Sequence, residues 1–179
     1  MAGIVEAVGR DVRRLRIGDE VFGSGAGTFA EYAVAPEKNL PAFLALDLPG
    51  SKVVIGDGPA LDGMRRRYPD AHFLGRREHR ALAAIYASAD VFVFPSRTDT
   101  FGLVLLEALA SGLPVAAYPV PGPLDVVGDS GTGVLDEDLR RAALGALEVS
   151  RERCRAHALG FSWQACARQF LENLTLARA

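Results

Sequence analysis

The sequence predicts an α/β fold, a parallel sheet with helices on both faces, preceded by a small β-rich segment. Three observations predict it. From residue 37 onward, short apolar runs alternate with helical stretches. The run "DVFVFPS" (90–96) is apolar nearly throughout, as expected of a strand covered on both faces. Before residue 36, β-rich runs broken by glycine replace any helix of useful length.

In chain order, "GIVEAVGRDVRRLRIGDEVFGSGAGTFAEYAVAP" (3–36) offers a first strand around Val5, Ala7 and Val8. A second follows the turn in "GDEVFG", and a third is "TFAEYAV" (28–34). With few large side chains, residues 1–35 cannot bury a self-sufficient core, so residues 36–179 form the main domain. Asn39 is placed to cap a short helix, "PAFLAL". "SKVVIGDG" is an apolar strand closed by a turn, "ALDGMRRRYP" a helix ended by proline, and "AHFLG" a short strand. "EHRALAAIYASA" is helical with Leu82, Ile85, Tyr86 and Ala89 on one face. "FGLVLLEALASG" is a mostly buried helix stopped by Gly112, and "LPVAAYP" is the next strand. Helices then run from about Glu137 to Leu147, from 151 to 159, and from Trp163 to Leu174, the last capped by Ser162.

The 20 basic and 22 acidic residues give a net charge of -2, which recommends no nucleic-acid partner. "RRR" (65–67) and "GRREHR" (75–80) read as solvated helix faces or ends. Cys154 and Cys166 lack CxxC spacing, and His72, His79 and His157 form no ligand pattern, so neither a disulfide nor a metal site is expected. No apolar stretch reaches the roughly 18 to 20 residues that span a bilayer, and charges interrupt the first residues. A cytoplasmic chain is the expectation.

In a parallel sheet, ligands sit beyond the carboxyl ends of the strands. That rim would hold "GDGP" (56–59), "PSRTDTFG" (95–102) and "YPVPGP" (118–123). A helix starting near Gly102 leaves the amides of Gly102, Leu103 and Val104 without intrahelical partners, a seat suited to phosphate. Asp99 precedes that start and Glu107 follows it, within an otherwise apolar helix. Two carboxylates accept hydroxyl hydrogen bonds from a ribose or a sugar ring. Spacing alone leaves the plainer alternative open: Asp99 caps the helix, and Glu107 faces solvent or pairs with an arginine. Gly56, Asp57 and Gly58 read first as a turn, then as a backbone approach to a ligand; no GxGxxG or GxxxxGK[ST] loop accompanies them. Lys38, Arg76 and Arg97 are candidate cations near the rim, and no Ser-His-Asp or Cys-His arrangement is legible.

"EKN" (37–39), "VVIGDGP" (53–59), "FLG" (73–75), "YASADVFVFPSRTDTFGLVLLEALASGLPVAAYPVPG" (86–122) and "FSW" (161–163) occur in a specific order. Together they resemble the nucleotide-sugar-binding C-terminal domain of retaining GT-B glycosyltransferases (group 1, family 4), over about residues 35–174. The resemblance implies a three-layer, Rossmann-like parallel sheet, one half of a GT-B fold. It implies hexosyl or mannosyl transfer from a UDP-, GDP- or ADP-linked sugar to a lipid or glycan acceptor, with no metal and no further cofactor. Glu107 would hold the ribose hydroxyls and Asp99, where the family usually has glutamate, the transferred sugar. Gly102 and Leu103 amides would meet the diphosphate, and Lys38 would neutralise it. Phe73 and Leu74 would seat the base, beside Gly56, Asp57 and Gly58.

Two departures matter. "AEYAVAPEKN" lacks the arginine that the family places ahead of Lys38, and the acceptor domain is expected to be missing. The expectation is a chain that transfers sugar poorly by itself unless a partner chain or oligomer covers the missing half. The parent enzyme, acting on a lipid, would associate with a membrane. "GIVEAVGRDVRRLRIGDEVFG" followed by "GTFAEYAVAPEKNL" resembles a fragment of the GroES-like domain of medium-chain alcohol and quinone dehydrogenases. The two resemblances meet near residues 34–40, which implies a fusion or a fragment, natural or artefactual. The other readings are a non-catalytic nucleotide-binding module and a fragment of an NAD(P)H-dependent reductase. The hairpins would replace a missing edge strand, with residues 29–35 pairing with 52–55.

Overall fold

The computed structural model describes residues 2–4, 20–22, 39–98 and 101–176. Strands β1 (Ala2–Ile4) and β2 (Glu20–Phe22) pair antiparallel, Ala2 opposite Phe22. The strand expected at Val5–Val8, the one at 28–34 and its pairing with 52–55 lie outside the described residues.

From Leu40 the chain alternates as its apolar pattern demands. Helix α1 (Leu40–Leu44) leads to β3 (Val53–Ile55), α2 (Leu61–Arg67), β4 (His72–Gly75) and α3 (His79–Ser88). Next come β5 (Phe92–Phe94), α4 (Leu103–Ala110), β6 (Val115–Ala117), α5 (Pro123–Val126) and β7 (Gly133–Leu135). Helices α6 (Leu139–Ala146), α7 (Arg151–Ala158) and α8 (Trp163–Leu176) follow. The turn at α5 and the strand β7 were not anticipated, because each is one short run between glycines and acids.

Strand β6 explains the three layers. Its residues are fully buried and alternate: Val115 and Ala117 face the Leu105, Leu109 and Cys154 side, Ala116 the alanines of α6. Burying Leu105 and Leu109 stabilises the fold by about 1.5–3 kcal/mol each. The α6 face consists of Ala142, Ala143 and Ala146, which lets that helix lie close to the sheet. Helix α6 starts two residues later than expected, because the Asp138 carboxylate accepts from the amides of Arg140 and Arg141 and fixes the cap there. Ser162 Oγ accepts from the Ala165 amide at 3.1 Å, as expected of a cap. Asn39 stands at the α1 N-cap with helical backbone angles and makes no side-chain cap, which corrects that expectation. Gly112 ends α4 at φ 74, with its own amide on Leu109 and that of Leu113 on Ala108, so the turn requires glycine.

Among the described residues the parallel strands pair in two groups. Strand β3 pairs parallel with β4, Val53 opposite His72, and β5, β6 and β7 pair parallel in that order. Among the described residues β3 and β5 are not hydrogen-bonded to each other, and an apolar cleft of about 480 Å³ separates them.

Candidate functional site

The loop after β5 is built from the inside. Ser96, 1% exposed, donates from Oγ to the Thr98 carbonyl at 2.9 Å and turns the chain just beyond the strand. Gly102 then takes a left-handed conformation (φ 79, ψ 53), which a Cβ would disfavour. The first backbone bond of α4 runs from the Leu105 amide to the Gly102 carbonyl at 2.8 Å. The amides of Gly102, Leu103 and Val104 therefore lie ahead of the helical ladder, at the positive end of its dipole. Leu103 is exposed and Gly102 buried.

Glu107 is half-buried, one turn into α4, between the buried Leu105, Ala108 and Leu109. Its charge is felt by Tyr86 of α3: burial pushes that hydroxyl well above its usual range, and the Glu107 carboxylate raises it further. The sequence alternatives of open solvent or an arginine omitted this tyrosine. Its place on the apolar face of α3 was legible, its neighbour was not.

The rim extends over the next two strands. The Arg97 guanidinium lies 3.8 Å above the Tyr118 ring centroid, and its Nη1 is 2.8 Å from Glu137. This arginine is thus already engaged. Just after β7, Asp136 receives two bonds from Arg141, which with the Asp138 amide hold its carboxyl below the usual carboxylate range. Tyr118 and Glu137 were missed by sequence reasoning, since no local spacing links residues so distant. Below the loop, Phe101 lies 6.4 Å from Phe161, which packs edge-on against His157. His157 Nε2 donates to the Val126 carbonyl at 2.8 Å and ties α7 to α5, while the Phe101–Phe161 contact sets the "FSW" segment beside the residue ahead of Gly102.

The other rim segment follows β3 and β4. The Gly56 amide donates to the Gly75 carbonyl at 3.0 Å, and Asp57 Oδ1 accepts from the Gly58 amide at 2.9 Å. Gly56 has φ 133, and a Cβ on Gly56 or Gly58 would meet nothing within 4 Å, so their backbone is open to approach. Phe73 and Leu74 are half-buried in β4. Asp99 and Lys38 lie outside the described residues. No cluster of three metal-ligating side chains exists among the described residues, and no helix there is long and apolar enough to cross a membrane. Chemically, the start of α4 favours an anion, and Glu107 one turn away accepts hydroxyl hydrogen bonds.

Comparison with known proteins gives two family matches. Residues 44–149 match the model of glycosyl transferases group 1, and residues 1–44 that of the alcohol dehydrogenase GroES-like domain. A D-inositol 3-phosphate glycosyltransferase of Nocardia farcinica is 34% identical over 215 aligned positions, covering 94% of this chain and 46% of that protein. A GDP-mannose-dependent alpha-mannosyltransferase of Mycolicibacterium smegmatis is 42% identical over 116, covering 63% and 31%. The chain thus spans less than half the length of these relatives. Among solved structures, Anabaena Alr3699/HepE in complex with UDP-glucose superposes with TM-score 0.61 at 20% identity, over 79% of this chain and 45% of that one. Sucrose-phosphate synthase from Thermosynechococcus elongatus does so with TM-score 0.54 at 28% identity, over 71% and 39%. The fold is that of one half of a GT-B glycosyltransferase, a GroES-like segment precedes it, and the chain belongs to the glycosyl transferases group 1 family.

Proposed function

We propose that this chain binds a nucleotide-diphosphate sugar and supplies the donor-binding half of a retaining hexosyl- or mannosyltransferase. The observation that carries the reading is the start of α4. There the left-handed Gly102, three amides ahead of the helical ladder and half-buried Glu107 stand together beyond the end of β5. The amides of Gly102 and Leu103 receive the diphosphate, Glu107 accepts from the ribose hydroxyls, and Phe73 with Leu74 seats the base beside Gly56–Gly58. Asp99 contacts the sugar hydroxyls and Lys38 balances the diphosphate charge.

In the transfer, the bond from the sugar C1 to the diphosphate oxygen breaks and the diphosphate keeps the electron pair. An acceptor hydroxyl oxygen bonds to C1 on the same face and passes its proton to the departing diphosphate oxygen. Stabilising the departing diphosphate is the main electrostatic task, and the α4 amides perform it without reorganising. Holding a lipid or glycan acceptor against C1 requires a second wall, so this chain by itself binds donor and transfers little. A relative that is a GDP-mannose-dependent alpha-mannosyltransferase supports the donor class. Arg97 already engaged by Glu137 and Tyr118 favours the second reading, a nucleotide-binding module without catalysis.

Calorimetric titration with UDP, GDP and ADP tests the proposal. One nucleotide is expected to bind saturably, and Glu107→Ala to weaken it about 10- to 100-fold, as expected for hydrogen bonds to a charged group. Binding that ignores the substitution would remove Glu107 from the site. No binding to a folded chain would mean that the fold has outlived the site.

A further inference from the structure

The loop ahead of α4 is held from both flanks. On one flank Phe101 lies 6.4 Å from Phe161. On the other, the Arg97 guanidinium lies 3.8 Å from the Tyr118 ring centroid, and its Nη1 reaches Glu137 Oε2 at 2.8 Å. Both partners of Arg97 stand on fixed ground. Tyr118 is buried and directly follows β6. Glu137 lies between two anchored neighbours. The Asp136 amide donates to the Ala117 carbonyl at 3.0 Å and its carboxylate holds Arg141, while Asp138 caps α6. The Arg97–Glu137 pair itself is more than half-exposed, and a pair of that kind adds little to stability. Its effect is to tie together the ends of three neighbouring strands, β5, β6 and β7.

We infer that Arg97 is a positioning residue for the anion seat. By gripping Tyr118 and Glu137 it sets where the chain after β5 enters α4, and so where the Gly102 and Leu103 amides stand. The inference rests on the donor-binding reading and adds to it a residue that acts without touching the donor. The flat face of the guanidinium is occupied by the ring and one of its nitrogens by the carboxylate. Buried Ser96 fixes the near end of the loop through the Thr98 carbonyl, and left-handed Gly102 fixes the far end. Arg97 supplies the hold from the side. Amides grip a phosphate only at hydrogen-bond distance, so a displacement of about 1 Å is enough to weaken the seat. Because Glu137 works only by holding Arg97, neutralising one or both has the same effect. A guanidinium that bound the donor directly would behave in the opposite way: release from Glu137 would leave affinity unchanged or raise it.

The test uses the full chain, with Arg97→Gln, Glu137→Gln and the double variant. Calorimetry with UDP, GDP and ADP, each beside its monophosphate, reads the seat. An exposed ion pair and a cation–π contact are each worth a factor of a few, so each single variant should weaken the diphosphate that binds by about 3- to 10-fold. The double variant should weaken it no further, and the preference for diphosphate over monophosphate should fall in all three. Glu137→Gln that binds the diphosphate as well as the native sequence, or better, would overturn the inference. So would additive losses, or an equal loss for diphosphate and monophosphate. Hydrogen exchange without nucleotide gives an independent reading at the Leu105 amide, which bonds to the Gly102 carbonyl at 2.8 Å. Exchange there should quicken about threefold or more in the variants relative to Leu109 of the same helix, and an unchanged ratio would overturn the inference. A native chain that binds none of the three diphosphates, with faster Leu105 exchange in the variants, would overturn the donor-binding reading and uphold the hold of Arg97 on α4.

Discussion

Tyr86 is the residue whose protonation reports on the candidate site. It is 6% exposed on α3 and lies within the field of Glu107. Its proton is held in the folded chain at a pH where an unfolded tyrosine, near 10, has lost its own. Above that pH the unfolded state binds fewer protons than the native one, so stability falls as pH rises. Melting temperatures measured from pH 9 to 11.5 should drop more steeply for the native sequence than for Tyr86→Phe, and equal slopes would refute the coupling. At this scale the sequence was a partial guide. The apolar surroundings of Glu107 and the glycine at 102 stood out, because a charge inside an apolar helix and a glycine at its start are local signals. The Arg97–Tyr118–Glu137 cluster joins three loops and left no local trace.

At the scale of elements, packing decides which short runs become strands. Strand β7 carries only three residues, yet it pairs along β6 because Gly133 permits close approach: a Cβ there would run into the Val115 carbonyl. Gly133→Ala should therefore destabilise the chain by about 1–3 kcal/mol, read from urea unfolding. An unchanged midpoint would mean that β7 shifts freely. Helix ends follow the same logic. Arg151 of α7 donates to the Ala89 and Ala87 carbonyls at 2.6 and 2.7 Å, and Arg155 donates to that of Ala110 at 3.2 Å. A cationic helix thus closes the negative ends of α3 and α4. The long apolar runs at 92–94, 103–110 and 115–117 were legible as elements from composition alone. The cap at Asp138 and the brief β7 depended on tertiary partners that no local pattern encodes.

For the whole molecule, the two thiols separate local exposure from global opening. Cys154 is fully buried, its Sγ–H 3.4 Å from the Thr132 carbonyl, and burial pushes that thiol up. Cys166 is exposed on α8. A thiol reagent at neutral pH should modify Cys166 at once and Cys154 only as the fold opens, at a rate that rises with urea. Two equally fast thiols would show that α7 detaches below the global transition. The overall architecture was readable because alternating strands and helices with one doubly covered strand admit few solutions. That β3 and β5 are not paired with each other among the described residues was not, since no local pattern encodes which strands become neighbours.

Helix α8 has a spectroscopic consequence. It carries the chain's single tryptophan, Trp163, at 75% exposure. Indole emission from that site is already water-like in the folded state, so unfolding the distant core leaves the colour of the signal almost unchanged. The same indole turns blue when another surface covers α8, which makes this protein's fluorescence a gauge of company, not of folding.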